Sequence, residues 1–239
     1  MYYYRGIIAD TEVTCAFRHA GTAENYGKWL KPCERAEEPV TVPEADVKEW
    51  EKKWGFRDNA FAEFGLSIYH ISNTLLKRDR CVFHAAAFLM EGKAYLLTAA
   101  SGVGKSTQLK HLAEQYKEEI RVMNGDKPVL GPGSDGRLWV YPSPWKGKEG
   151  WGDDSLSAPV GGVIILERGT TDVIRTASAR DAAAFLMTRI LFTAESRRDV
   201  LAAGKIVEKL IGTSTVRIFV NTGEPNGSEI IYRAIRGEC

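Results

Sequence analysis

A chain of 239 residues, 44% hydrophobic and 26% charged, holds enough apolar material for one large core, or for a core with a smaller piece appended. Lysine and arginine number 32 against 31 aspartates and glutamates, and a formal net charge of +1 provides none of the strong positive field that nucleic acids or anionic membranes would draw on. Cys15, Cys33, Cys81 and Cys239 make no CxxC pair and fit neither a zinc site nor a compact disulfide framework, the opening MYYYRGIIADTEV lacks a secretory layout, and no apolar run nears the roughly 18 residues of a membrane span. The expectation is a cytoplasmic protein with small-molecule or protein partners, no nucleic acid and no membrane span.

Residues 2–17 alternate apolar with polar types and predict one or two short strands. Residues 21–43 are polar, with prolines, and read as a surface connection. Ala45–Lys53 predicts a charged helix with Trp50 and Trp54 along an apolar edge, most simply as core anchors. From Asn59 to about Lys77, Phe61, Phe64, Ile68, Ile71 and Leu75 recur at helical spacing behind a capping Asp58 or Asn59; His70 falls within that helix and reads as structural. Cys81–Met90 and Ala94–Thr98 form two strand-like runs joined by Glu-Gly-Lys, the pattern of a hairpin. A glycine-containing loop and a helix at Lys105–Tyr116 follow. Strands are expected at Arg121–Met123, Pro128–Leu130, Leu138–Val140, Val160–Glu167 and Asp172–Thr176. Helices are expected at Ser178–Phe192 and Ser196–Ile211, then a strand at Ser214–Val220 and a last helix or strand at Ser228–Arg236. The class is α/β, with hairpin-linked strands rather than strict βαβ alternation.

The segment Ala99-Ala-Ser-Gly-Val-Gly-Lys-Ser106 lies between a strand and a helix and carries the strongest chemical signal. Cradling phosphate takes small residues whose amides turn inward, a lysine that reaches the terminal phosphates and a hydroxyl for Mg²⁺. Ser101, Gly102, Val103, Gly104, Lys105, Ser106 and Thr107 supply these parts for a nucleotide, although the first glycine of the usual pattern is Ala99. Asp126, at the end of the next strand, stands where a metal ligand belongs, and the Asn-Gly-Asp it closes is also good turn chemistry. Tyr141–Gly150 reads as an exposed, shaped loop in which Lys146 and Lys148 could attract phosphate and Glu149 could touch metal or substrate. The reading of that loop as a solvated basic turn stands beside it. A lone histidine on a strand, such as His84, is usually a packed residue.

HAAA at 84–87, SGVGKST at 101–107, MNGDKPVL at 123–130, YPSPWKGKE at 141–149 and VIILERG at 163–169 together resemble the HPr kinase/phosphorylase-like proteins. These belong to the P-loop group that also contains phosphoenolpyruvate carboxykinase. The resemblance spans about residues 80–220; the first 75 residues have no counterpart in it. It implies an α/β fold with a curved mixed β-sheet as P-loop core and flanking helices; residues 1–79 are expected to be a small N-terminal extension packed on the core of residues 80–239. It implies Mg²⁺-dependent transfer of phosphate from ATP to a hydroxyl, commonly a serine of a protein or peptide, and is compatible with a homo-oligomer. Gly104, Lys105 and Ser106 match the family's phosphate and metal positions, and His84 matches a histidine beside the transferred phosphate. Asp126 matches the second of two adjacent aspartates. The first, the family's general base, is Gly125 here.

The expected function is therefore an ATP-binding kinase acting on serine. Lys105 serves the phosphates, Ser106 and Asp126 hold Mg²⁺, His84 and Asp126 activate the hydroxyl, and Lys146, Lys148, Glu149 and Arg168 face phosphate or acceptor. The alternative is a nucleotide-binding regulatory or accessory module with weak or no catalysis, favoured by Gly125.

Overall fold

A turn at Ala9-Asp10, with φ of 47° and 57°, folds the first sixteen or so residues back on themselves. In the computed structural model, which describes residues 1–55, 58–224 and 226–238, β1 (Tyr2–Ile8) and β2 (Thr11–Phe17) pair antiparallel from Tyr2 opposite Phe17 to Ile8 opposite Thr11. The side chain of Trp54 and residue Cys239 lie outside the described residues.

Residues 21–43 are more than a surface connection. They enter α1 (Ala20–Glu24), a 3-10 turn at Gly27–Trp29 and β3 (Leu30–Pro32), which pairs antiparallel with β1. Thr22, Ala23, Tyr26 and Leu30 are buried at helix-like spacing, but the chain crosses a five-residue helix, a 3-10 turn and a three-residue strand over that span, each too short for periodicity to mark. α2 (Glu44–Trp54) and α3 (Asn59–Leu76) appear as expected, and Asp58 caps α3 by accepting from the amides of Ala60 and Phe61. One face of α3 carries Ile68, Ile71 and Leu75 into a cluster with Ile8, Val13, Phe17 and Tyr26, and with Val82, Val129 and Trp145 from later in the chain. The fully buried Glu63 accepts from the amides of Arg18 and His19 and from the Thr22 hydroxyl, which ties α3 to the end of β2.

The remaining elements are β4 (Cys81–Phe83), β5 (Ala86–Met90), β6 (Lys93–Ala99), α4 (Lys105–Gln115), β7 (Arg121–Asn124), β8 (Val129–Pro132), β9 (Leu138–Tyr141), β10 (Ala158–Arg168), β11 (Val173–Thr176), α5 (Ala179–Met187), β12 (Ile190–Leu191), α6 (Arg197–Thr213), β13 (Thr215–Asn221) and α7 (Gly227–Arg236). Among the described residues, ten strands join one mixed sheet in the order β12-β4-β8-β9-β10-β6-β5-β7, with β13 also on β10 and β11 on β13. β10 runs parallel to both β6 and β13, and the other pairs are antiparallel. Alternate residues of β10 point to opposite faces. Val163 and Ile165 pack in the layer of α5 and α6, while Ile164 and Leu166 pack in the layer of α4 and α7. A strand covered on both faces reads as a continuous apolar run, as VIIL does.

Two expectations need correction. The apolar run Cys81–Met90 is not one strand: it breaks at His84-Ala85, β4 pairing with β8 and β5 pairing with β6 and β7. The helix expected at Ser178–Phe192 stops at Met187, because Ile190 and Leu191 find partners opposite Phe83 and Val82 at the sheet edge. Strand pairing supplied by distant chain overrides the local helical period there.

Candidate functional site

Parallel pairing sets Leu166 opposite Ala99, so β6 and β10 end at the same edge of the sheet. The chain leaves β6 there and enters α4 at Lys105. Gly102 and Gly104 hold φ of 78° and 110°, a region that costs a side-chain-bearing residue steric energy. Gly104 is the N-cap of α4 and brings no capping side chain, which leaves the first amides of the helix without a side-chain acceptor at the positive end of its dipole. Ser101, Gly102, Ser106 and Thr107 are exposed, and Val103 is half-buried against the α4 and α7 layer.

His84 occupies the break between β4 and β5 with its backbone fixed on both sides. Its amide donates to the Arg189 carbonyl at 2.8 Å, and its carbonyl accepts from the Thr98 hydroxyl at 2.9 Å. Its Nε2 lies 3.2 Å from Lys105 Nζ and 3.3 Å from Asp126 Oδ1. One ring nitrogen cannot serve both at once. It accepts from the Lys105 ammonium when it holds a lone pair, or donates to Asp126 when it holds a proton. Burial pulls Lys105 below the usual lysine range, and the Asp126 charge opposes that pull while Lys127 and Arg189 add to it.

Asp126 is placed by a turn, so the two readings of Asn-Gly-Asp coexist. The fully buried Asn124 accepts from the amides of Asp126 (2.9 Å) and Lys127 (2.8 Å) through Oδ1, and its Nδ2 donates to Ser143 Oγ at 3.0 Å. Ser143 in turn donates to the Lys127 carbonyl at 2.5 Å. The Asp126 carboxylate touches His84 through Oδ1 and Lys127 Nζ through Oδ2. Burial alone would raise its pKa, but the hydrogen bond from His84 and the charge and hydrogen bond of Lys127 outweigh it and hold the group down to about 2.

Gly125 sits under the 144–151 loop. Its amide donates to the Trp151 carbonyl at 2.9 Å, and a Cβ there would stand 2.8 Å from the Lys146 carbonyl oxygen. The loop is less exposed than its composition suggests. Trp145 is buried and its carbonyl accepts from the Lys127 amide at 3.1 Å. Lys146 turns away to the Gly152 carbonyl (2.9 Å) and to Asp154 (2.8 Å), which Lys28 also grips at 2.8 Å.

His84, Lys105 and Asp126 thus meet in space. Lys148 shares a cavity wall with Asp126, Glu149 is exposed, and Arg168 ends β10 with its guanidinium on the Thr222 carbonyl at 3.2 Å. Four further residues shape the site without having been singled out: Lys127, Asn124, Ser143 and Arg189. Arg189 donates to the Ala99 carbonyl at 2.9 Å, joining the start of the loop to the His84 segment. Its position some ninety residues away left no local signal, whereas Asn124 and Lys127 flank the turn and were open to an Asx-turn reading.

No family model matches the chain, and no curated protein matches it. Among solved structures, an HPr(Ser) kinase/phosphatase from Coxiella burnetii is similar at 13% identity and a TM-score of 0.38, over 65% of this chain and 94% of that one. No helix among the described residues is long and apolar enough to cross a membrane.

Proposed function

We propose that the protein binds ATP at the 99–107 loop and transfers its γ-phosphate to a serine hydroxyl of a protein or peptide. One observation carries this reading: Lys105, first residue of the helix behind the glycine loop, lies within 3.2 Å of a histidine that is itself 3.3 Å from an ionised, half-buried carboxylate. Loop amides and Lys105 bind and neutralise the phosphates, and phosphoryl transfer depends chiefly on such positioning and charge. The serine oxygen bonds to the γ-phosphorus, the bond to the β,γ-bridging oxygen breaks, and ADP leaves with that electron pair. The hydroxyl proton passes to His84 Nε2 in the form in which that nitrogen holds its lone pair and Lys127, rather than His84, pairs with the Asp126 carboxylate.

The donor set suits Mg²⁺, which binds through one or two carboxylates plus phosphate and water. Ser106 offers an exposed hydroxyl and Asp126 an ionised carboxylate, once Lys127 yields its oxygen. The cation would supply further charge neutralisation at the phosphates.

A second reading is nucleotide binding without turnover. It is favoured by Gly125, above which the Lys146 carbonyl leaves no room for another carboxylate.

Incubation with Mg²⁺ and γ-labelled ATP tests both readings. In the parent protein, label should move to a serine-containing acceptor. Lys105→Ala should weaken ATP binding about 10- to 100-fold, the loss of one charged contact of roughly 1.5–3 kcal/mol. ATP bound with no label transferred and no ADP formed selects the second reading. Unchanged affinity in Lys105→Ala refutes both.

A further inference from the structure

A cavity of about 510 Å³ opens beside Asp126, and its lining is of two kinds. Asp126, Lys127 and Lys148 give it charged groups, and Phe61, Phe64 and Tyr69 of α3 give it aromatic ones. Phe61 and Tyr69 keep 43% and 38% of their surface exposed, while Phe64 and Ile68 line the cavity and also pack in the core cluster. Phe61 packs on Trp50 and Phe64, and partly exposed aromatic rings that line a ligand-sized cavity together with a carboxylate mark a binding surface. The charges are uneven as well. Lys127 is spent on Asp126, whereas the exposed Lys148 has no ion-pair partner among the described residues.

We infer that this cavity is the acceptor site, and that it takes a peptide segment with an aromatic or large apolar side chain beside the accepting serine and a carboxylate within reach of Lys148. The inference rests on the kinase reading for the fate of the serine, but not for binding. The serine hydroxyl lies beside Asp126 and enters the transfer step written above, its proton leaving to His84. The neighbouring side chain packs on Phe61 and Tyr69, and Lys148 pairs with the carboxylate. The recognition surface is thus contributed by α3, in the part of the chain that precedes the glycine loop.

Short fluorescein-labelled peptides test this, each with one serine, either phenylalanine or alanine beside it, and either a free C-terminal carboxylate or an amide. Binding is followed by anisotropy with the full chain in the presence of Mg²⁺ and ADP. The phenylalanine peptide with a free carboxylate should bind most tightly. Phe61→Ala should weaken it about 5- to 30-fold and leave the alanine peptide unchanged, and Lys148→Gln should erase an advantage of about threefold or more for carboxylate over amide. Phe61 also packs on Trp50 and Phe64, so a thermal melt of the variant checks that it folds, and Tyr69→Ala provides an independent second probe. Equal affinity for all four peptides, no binding by any, or unaltered selectivity in these variants would overturn the inference. Selective binding without phosphorylation of the peptide under Mg²⁺ and ATP upholds the site and removes the kinase reading instead.

Discussion

Replacing Gly125 with alanine sets a methyl group 2.8 Å from the Lys146 carbonyl oxygen and 3.3 Å from that of Trp151. Carbon–oxygen contacts ordinarily begin near about 3.3 Å, so the first is short by about half an ångström. The atoms in the way are backbone and cannot rotate aside. Overpacking of this kind costs about 1–3 kcal/mol. If the loop retreats to relieve it, the 2.9 Å bond from the Gly125 amide to Trp151 is strained or lost, adding roughly 1 kcal/mol. A loss of about 2–4 kcal/mol in a chain of this size lowers Tm by roughly 5–15 °C. Aspartate brings the same Cβ and a negative charge beside Asp126, so it should destabilise at least as much. Thermal melts of Gly125→Ala and Gly125→Asp, with phosphoryl transfer measured on the same samples, check the point. A Gly125→Asp protein that melts with its parent and transfers more phosphate would refute the reasoning. It would show that the position simply lacks a base.

Asn124→Ala removes the acceptor of two half-buried amides and should cost about 2 kcal/mol, with faster amide hydrogen exchange at Asp126 and Lys127; unchanged exchange there would mean that the turn holds itself. Asp126 also links stability to acid. Its carboxyl is held at about 2 in the folded chain against about 3.9 when unfolded, so its ion pairs stabilise the fold above pH 4 by about 2 kcal/mol, and that contribution is lost as pH falls through about 2. Urea melts from pH 5 to pH 2 should show a slope that Asp126→Asn flattens; equal slopes would remove the linkage.

Much of the sheet was legible because its chemistry is local. Alternation marked β1 and β2, the Glu-Gly turn marked the β5–β6 hairpin, and the apolar run VIIL marked β10 as a strand. The glycine loop and the helix behind it were equally plain. What escaped depends on partners far off in the chain. Nothing near Ile190 announces that it will meet Phe83, and β3 is a strand only because β1 offers it an edge. At the site, Lys105 and Asp126 could be named from their motifs. His84 could be named only through the resemblance, and the fold sets it at a break in an apolar run that looks continuous in sequence. Lys146 looked like a phosphate ligand until Asp154 claimed it. Charged side chains follow whichever counter-charge the fold brings within reach, and residue type alone does not fix that choice.

The buried indole of Trp145 bears on how this chain could be divided. Tyr26 meets it edge-on with ring centroids 6.1 Å apart, and both belong to a cluster that includes Ile8, Val13 and Phe17. Trp145 also hands its carbonyl to the Lys127 amide, beside Asp126. Cutting the chain ahead of residue 80 would therefore uncover Val82, Val129 and Trp145 together and remove the surface against which the 144–151 loop is moulded. The opening strands and helices act as a template for the loop. A shortened protein that kept every residue of the glycine loop would still lose the support of the wall beside Asp126.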